Sequence, residues 1–225
     1  MFISNINKYH LGDIKNAKKL IDYSIKLGCN YVKINKYHNK NENNGNIETP
    51  LGLKSLNEYY NEMNFSETDI KELVKYTENR NIKFYAKVED IESLYLMSKY
   101  TDICEIDIKL CNYNIFNIIK KKFKTIILRV IEPDITELEH IFYSYNPDII
   151  IIDTKNLKII EKIKKKIGKI KLGYRGTNDV FYIPALVYGC TYFEKELNLL
   201  VENNCYDDYN KLIKNIKLIK KEIHN

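Results

Sequence analysis

A chain of 225 residues in which 44% are apolar can bury a real core, which excludes disorder as the default reading. Its 36 Lys and Arg against 30 Asp and Glu leave a formal charge of +6. That excess is spread along the chain, and a basic run such as Lys164, Lys165 and Lys166 falls in a helical pattern as a solvated face, so nucleic acid is not an expected partner.

Taken in chain order, short β-rich segments alternate with longer helical patterns. Strands are predicted at residues 2–7, 31–35, 83–87, 103–108, 125–130, 148–153, 169–173 and 191–194. A helix over 14–27 places Ala17, Leu20, Ile21, Ser24 and Leu27 on one face and stops at Gly28. Another, over 67–79, begins after Ser66, a good N-cap with Asp69 three residues on. Further helices are predicted at 91–99, 115–123, 135–145, 157–167, 181–188 and 207–223, and Pro147 separates one of them from the strand that follows. Residues 38–47 form a polar, Asn-rich insertion that leads into a short amphipathic stretch at 56–60.

Eight strands alternating with eight helices, with nothing left over for a second domain, predict one (β/α)8 TIM barrel over residues 1–225. An open, doubly wound α/β sheet is the rival. In a barrel the 38–47 insertion belongs to the C-terminal face, where binding sites are built. The apolar runs, such as residues 149–152, are far too short to span a bilayer, so no membrane partner is expected. Five cysteines, an odd number without a C-x-x-C pair and without a leader ahead of them, fit a reduced cytoplasmic protein.

Charge chemistry concentrates on the strands. In the fourth strand Glu105, Asp107 and Lys109 alternate with Ile106 and Ile108, so the three charges share a face. His10, in a turn after the first strand, reads as a surface histidine, because no acidic partner is near it in sequence. His140 and His224 read as structural or exposed, and Cys104 and Cys190 as buried, inert thiols. The tyrosines lack the aromatic–basic interleaving of a single-strand nucleic-acid platform.

Several segments in order resemble the barrel of N-acetylneuraminate (sialic acid) synthases. Thr49-Pro50-Leu51-Gly52-Leu53-Lys54-Ser55, continuing to Tyr60 and then Phe65-Ser66-Glu67, resembles the loop and helix entry after that family's second strand. Val32-Lys33-Ile34-Asn35 resembles its V-K-F-Q strand, and Gly12-Asp13 followed by Ala17 to Ile21 its first turn and helix. Gly173-Tyr174 and Glu194-Lys195 match the starts of its G-Y-S-D-H-T and E-K-H-F motifs.

The resemblance implies condensation of phosphoenolpyruvate with an N-acetylated hexosamine, assisted by a divalent metal. It also implies that much of that machinery is replaced. The two metal-binding histidines fall at Thr177 and Glu196. Lys33 keeps the phosphate-binding lysine of strand two, but Asn35, Lys87, Glu105 and Arg129 stand where the family has Gln, Thr, Lys and Ser. The acidic residue of strand one falls near Ile3, with an insertion in the turn Asn7 to His10. The family's C-terminal antifreeze-like domain is expected to be missing.

Three readings of the substituted face follow. It is a salt-bridged interior that fills the barrel. Alternatively, Lys33, Asn35, Lys87, Arg129, Tyr174 and Arg175 bind a small anionic or sugar-like ligand. The third is a carboxylate metal site from Glu105, Asp107, Asp153 and Glu196, although no metal or other cofactor is expected. No catalytic residue is assigned. The expected role is a binding or accessory one in the synthesis of sialic-acid-like sugars, as a homodimer or beside an active synthase that docks through 38–47; the alternative is an active enzyme on a phosphorylated or carboxylated sugar.

Overall fold

Strand β1 (Phe2–Asn5) sets the pattern of the whole chain: Ile3 and Asn5 point one way, Phe2 and Ser4 the other. The computed structural model to which it belongs describes residues 1–7, 9–36, 45–49, 52–176, 178–197 and 204–223. Helix α1 (Ile14–Lys26) starts where the Asp13 carboxylate accepts the backbone N–H of Lys15 at 2.6 Å and of Asn16 at 3.4 Å. There follow β2 (Tyr31–Lys36), an antiparallel hairpin of β3 (Asn46–Thr49) and β4 (Gly52–Ser55), then α2 (Leu56–Met63) and α3 (Glu67–Glu78). Capping boxes open both helices, Ser55 with Glu58 and Ser66 with Asp69.

From there strand and helix alternate: β5 (Lys83–Val88), α4 (Ile91–Met97), β6 (Ile103–Asp107), α5 (Tyr113–Lys122), β7 (Thr125–Ile131) and α6 (Ile135–Tyr145). The chain continues through β8 (Ile149–Asp153), α7 (Lys158–Ile167), β9 (Leu172–Arg175), α8 (Tyr182–Val187), β10 (Cys190–Glu196) and α9 (Asn204–Ile223). The order β1-β10-β9-β8-β7-β6-β5-β2 closes on itself, with β1 parallel to both β10 and β2. This is a single-domain (β/α)8 barrel, and closure rules out the open sheet.

Strand residues facing outward, among them Val32, Ile34, Ala86, Leu128, Ile150 and Ile152, pack against helix residues such as Leu20, Ile70 and Ile160 in the main core. Helix α9 ties the barrel shut beside β1, where the buried Tyr209 hydroxyl donates to the Ile3 carbonyl at 3.1 Å. No helix among the described residues is long and apolar enough to cross a membrane.

Two departures from the sequence pattern are local. The seventh barrel strand, expected at 169–173, runs instead over Leu172–Arg175, because Lys164 Nζ donates to the Ile170 carbonyl at 2.8 Å and holds the preceding segment as a connector. The hairpin was not expected: Asn46 and Ile47, at the end of the predicted insertion, belong to β3, while residues 37–44 lie outside the described part.

Ile151 is fully buried inside the barrel, in a cluster made of strand residues. Ile151→Ala should therefore cost about 2–5 kcal/mol, read as a lower urea midpoint at unchanged slope.

Candidate functional site

Inward-facing positions fall into two layers. Towards the strand N-termini, Ile3, Tyr85, Ile103, Ile127, Ile149 and Ile151 form a buried apolar cluster, with Tyr31 and Tyr192 packed on it. Gly173 faces this layer, and a Cβ there would come within 3.0 Å of both Ile151 Cγ1 and Tyr192 Cβ. The floor of the barrel is thus filled, not hollow.

Above the floor the lining turns ionic. Lys33 from β2, Glu105 from β6 and Glu194 from β10 are all 0% exposed. Lys33 Nζ donates to Glu105 Oε1 at 2.6 Å and reaches both Glu194 oxygens at 2.7 Å. Asn5 Nδ2 donates to Glu194 Oε1 at 3.0 Å, and the Tyr85 hydroxyl to Glu105 Oε2 at 3.1 Å. All four carboxylate oxygens therefore accept a hydrogen bond, which is the condition for burying such charges at all. Burial alone would raise the Glu194 carboxyl, but Lys33 and Arg175, with Arg129 behind them, outweigh it and hold it at about 2.

Towards the strand C-termini the ionic ring widens. Arg129 on β7 donates to Asp153 Oδ2 on β8 at 3.0 Å. Arg175 on β9 donates to Glu196 Oε1 at 2.8 Å, and also stands 3.4 Å from Glu194 Oε1 and 3.7 Å from Asp153 Oδ2. Lys87 on β5 pairs with Glu89 at 2.8 Å. Four cations (Lys33, Lys87, Arg129, Arg175) thus meet five carboxylates (Glu89, Glu105, Asp153, Glu194, Glu196). One buried donor, Arg129 Nε, has no hydrogen-bond partner among the described residues.

Helix α2 lies across this end. Tyr59 is buried, and its phenol is pushed up to about 12 by burial first, then by Tyr60, Glu196 and Tyr9 nearby; Tyr60 stands close to Glu89 and Lys87. The end of α2 sits directly on the β1–α1 turn. A Cβ on Gly12, whose φ is +70°, would stand 1.9 Å from the Glu62 carbonyl oxygen. Two hollows lie away from the barrel mouth. One, of about 790 Å³, is at the strand N-termini beside Lys83, Asp102 and Lys124; the other, of about 610 Å³, lies beside Lys36, Phe65 and Tyr95.

Of the sequence candidates, Lys33, Lys87, Arg129 and Arg175 do meet at this ring, and Asn35 sits in register beside Lys87. Tyr174 does not join them: it faces outward into the helical shell, 5.1 Å from the Tyr182 ring. The alternation in β6 ends at Asp107, because Ile108–Leu110 turn into a short 3-10 helix and leave Lys109 exposed. Glu105, Asp107, Asp153 and Glu196 do not converge, and among the described residues no group of three or more His, Cys, Asp or Glu is placed to hold a metal. Sequence reasoning missed Asn5, Tyr85, Glu89 and Tyr59. The alternation that marks Lys33 as inward also marks Asn5 and Tyr85, but as neutral residues they gave no charge signal.

His10 is corrected outright. It is not on the surface but 0% exposed, its ring 4.4 Å from Phe65 and its Nδ1 accepting the Gly12 N–H at 3.0 Å. The close seating of α2 on that turn buries it, and burial lowers its pKa to about 4. His140 is exposed, and His224 lies outside the described residues. Cys104 and Cys190 are buried, and burial raises both thiols well above their ordinary range.

A sequence profile of the NeuB family matches residues 20–213. The chain belongs to the NeuB family. No curated protein matches it by sequence. Among solved structures, the N-acetylneuraminic acid (sialic acid) synthetase of Leptospira borgpetersenii superposes with a TM-score of 0.79 at 19% identity, covering 100% of this chain and 85% of that one. The spore coat polysaccharide biosynthesis protein spsE of Bacillus subtilis gives 0.78 at 15%, covering 100% and 69%. A truncated 3-deoxy-D-arabino-heptulosonate 7-phosphate synthase of Thermotoga maritima gives 0.68 at 13%, covering 99% and 87%. At these identities the likeness is one of fold.

The residues of this NeuB-family chain do not fit the divalent metal that the resemblance implies. Of the two histidine positions, Thr177 lies outside the described residues and Glu196 is bonded to the Arg175 guanidinium.

Lys33→Met should strand two buried carboxylates and cost about 3–5 kcal/mol, while Lys33→Met with Glu105→Gln and Glu194→Gln should recover most of that loss in urea denaturation. Acid should remove stability in two windows. The Glu194 pKa falls from 4.5 to about 2 on folding, so its contribution is present above 4.5 and lost as pH falls through 2. His10 falls from 6.5 to about 4, so its contribution is present above 6.5 and lost as pH drops towards 4. In urea midpoints against pH, His10→Asn should flatten only the upper window and Glu194→Gln only the lower.

Proposed function

We propose that this NeuB-family barrel works in the biosynthesis of sialic-acid-like sugars as a binding or accessory protein, and does not itself condense phosphoenolpyruvate. The observation that carries this reading is the engagement of Lys33. The lysine that the resemblance assigns to phosphate is buried between Glu105 and Glu194, and its ammonium is bonded to both. A phosphate arriving there would displace two carboxylates and meet a ring with five negative groups against four positive. Helix α2, with Tyr59 buried over the mouth, adds a steric reason. The likeness to proteins of sialic acid and spore coat polysaccharide synthesis supports the pathway class. Residues 38–47 remain the proposed contact for an active synthase.

Purified protein incubated with phosphoenolpyruvate, N-acetylmannosamine and Mn²⁺ should release no phosphate and form no nonulosonic acid. Robust product would overturn the proposal.

One observation favours a second reading, an active enzyme with a rebuilt site on a phosphorylated or carboxylated sugar. Arg129 keeps a buried Nε–H without an acceptor among the described residues, beside a second guanidinium at Arg175. On this reading, calorimetric titration with phosphoenolpyruvate shows saturable binding that Arg129→Ala abolishes; on the first it shows none.

A further inference from the structure

The side chain that Glu196 faces, at a position the resemblance gives to a metal ligand, is a cation of the protein's own. Arg175 presents Nη2 to Glu196 Oε1 at 2.8 Å, Nε to Glu194 Oε1 at 3.4 Å and Nη1 to Asp153 Oδ2 at 3.7 Å. Three carboxylates, one on β8 and two on β10, are thus directed at the three nitrogens of one planar group. The guanidinium is largely buried, with 18% of the side chain exposed, and it does not give up its proton. It also spreads these oxygens around its edge, whereas a divalent ion gathers oxygens around one point. A divalent ion within reach of the same carboxylates would sit against this fixed positive charge.

We propose that Arg175 is the cation resident at the position where the resemblance places the metal. It takes the place of the divalent metal that the resemblance implies, and keeps that metal out while it is present. The consequence is specific: removing the guanidinium leaves Glu196, with Asp153 still bonded to Arg129 and Glu194 still bonded to Lys33, around the position the guanidinium filled, and a small divalent cation can then draw them together.

The test uses the full chain, with free Mn²⁺ followed by electron paramagnetic resonance and stability by thermal unfolding. The wild type should leave the free Mn²⁺ signal unchanged, and its Tm should be indifferent to EDTA. Arg175→Ala should bind one Mn²⁺ and gain several degrees of Tm from it. Guanidinium ion at low concentration should compete that Mn²⁺ off, and by itself raise the variant's Tm, which a purely packing role for Arg175 would not produce. Arg175→Lys, which keeps the charge, should behave as wild type, and adding Glu196→Gln to Arg175→Ala should weaken Mn²⁺ binding about tenfold or more.

Stoichiometric Mn²⁺ binding by the wild type overturns the proposal, as does a folded Arg175→Ala that binds none. If Arg175→Ala folds only when refolded with Mn²⁺ or guanidinium, the proposal is supported; if neither rescues it, the proposal fails. These outcomes are separate from those of the condensation assay. Metal-free condensation would overturn the accessory role and leave Arg175 as the resident cation, whereas a wild type that binds Mn²⁺ without catalysis would do the reverse.

Discussion

A charge sealed inside a barrel must be neutralised there, and the interior of this protein is arranged around that requirement. The Lys33 ammonium has no route to water, so it stands between Glu105 and Glu194, each bonded further to Tyr85 or Asn5. Removing any one partner would leave another charged or polar group without its bond. The rest of the interior follows from this triad. Below it the lining is apolar and closely packed; above it Arg175 extends the network from Glu194 to Glu196 and Asp153, and Arg129 continues it along β7.

The same neutralisation shapes what the barrel can do. A site for a phosphorylated substrate needs cations with hydrogen bonds to spare. Here each cation of the ring already has a carboxylate, and the carboxylates outnumber them. Buried ion pairs of this kind contribute little net stability over an apolar filling. Helix α2 completes the picture by packing on the β1–α1 turn at Gly12, which buries His10 and brings Tyr59 over the mouth.

Much of this was legible in the chain itself. Period-two alternation located the barrel strands and put Glu105 and Asp107 on one face of theirs, and the family resemblance set Lys33, Lys87 and Arg129 beside them; Arg175 was a ligand candidate lying beyond the strand expected at 169–173. Alternation failed where a strand ended or shifted. β6 stops at Asp107, so Lys109 leaves the face, and β9 starts three residues later than its pattern suggested. Tyr174 was included on the strength of a motif, although its own neighbour Arg175 occupies the inward parity. Nothing near His10 in sequence announces burial, because the residues that cover it arrive from the α2–α3 junction more than fifty positions away.

The sequence by itself determined the barrel's strand count, the faces of those strands and the presence of acids and bases among them, because side-chain direction in a strand is a local property of backbone geometry. Partnership was decided only by the closed barrel. Lys33 and Glu194 are 161 residues apart, and they meet because β1, lying between β2 and β10, brings those two strands within reach of one side chain. Which acid neutralises which base depends on register and stagger around the closure, and these are properties of the whole sheet.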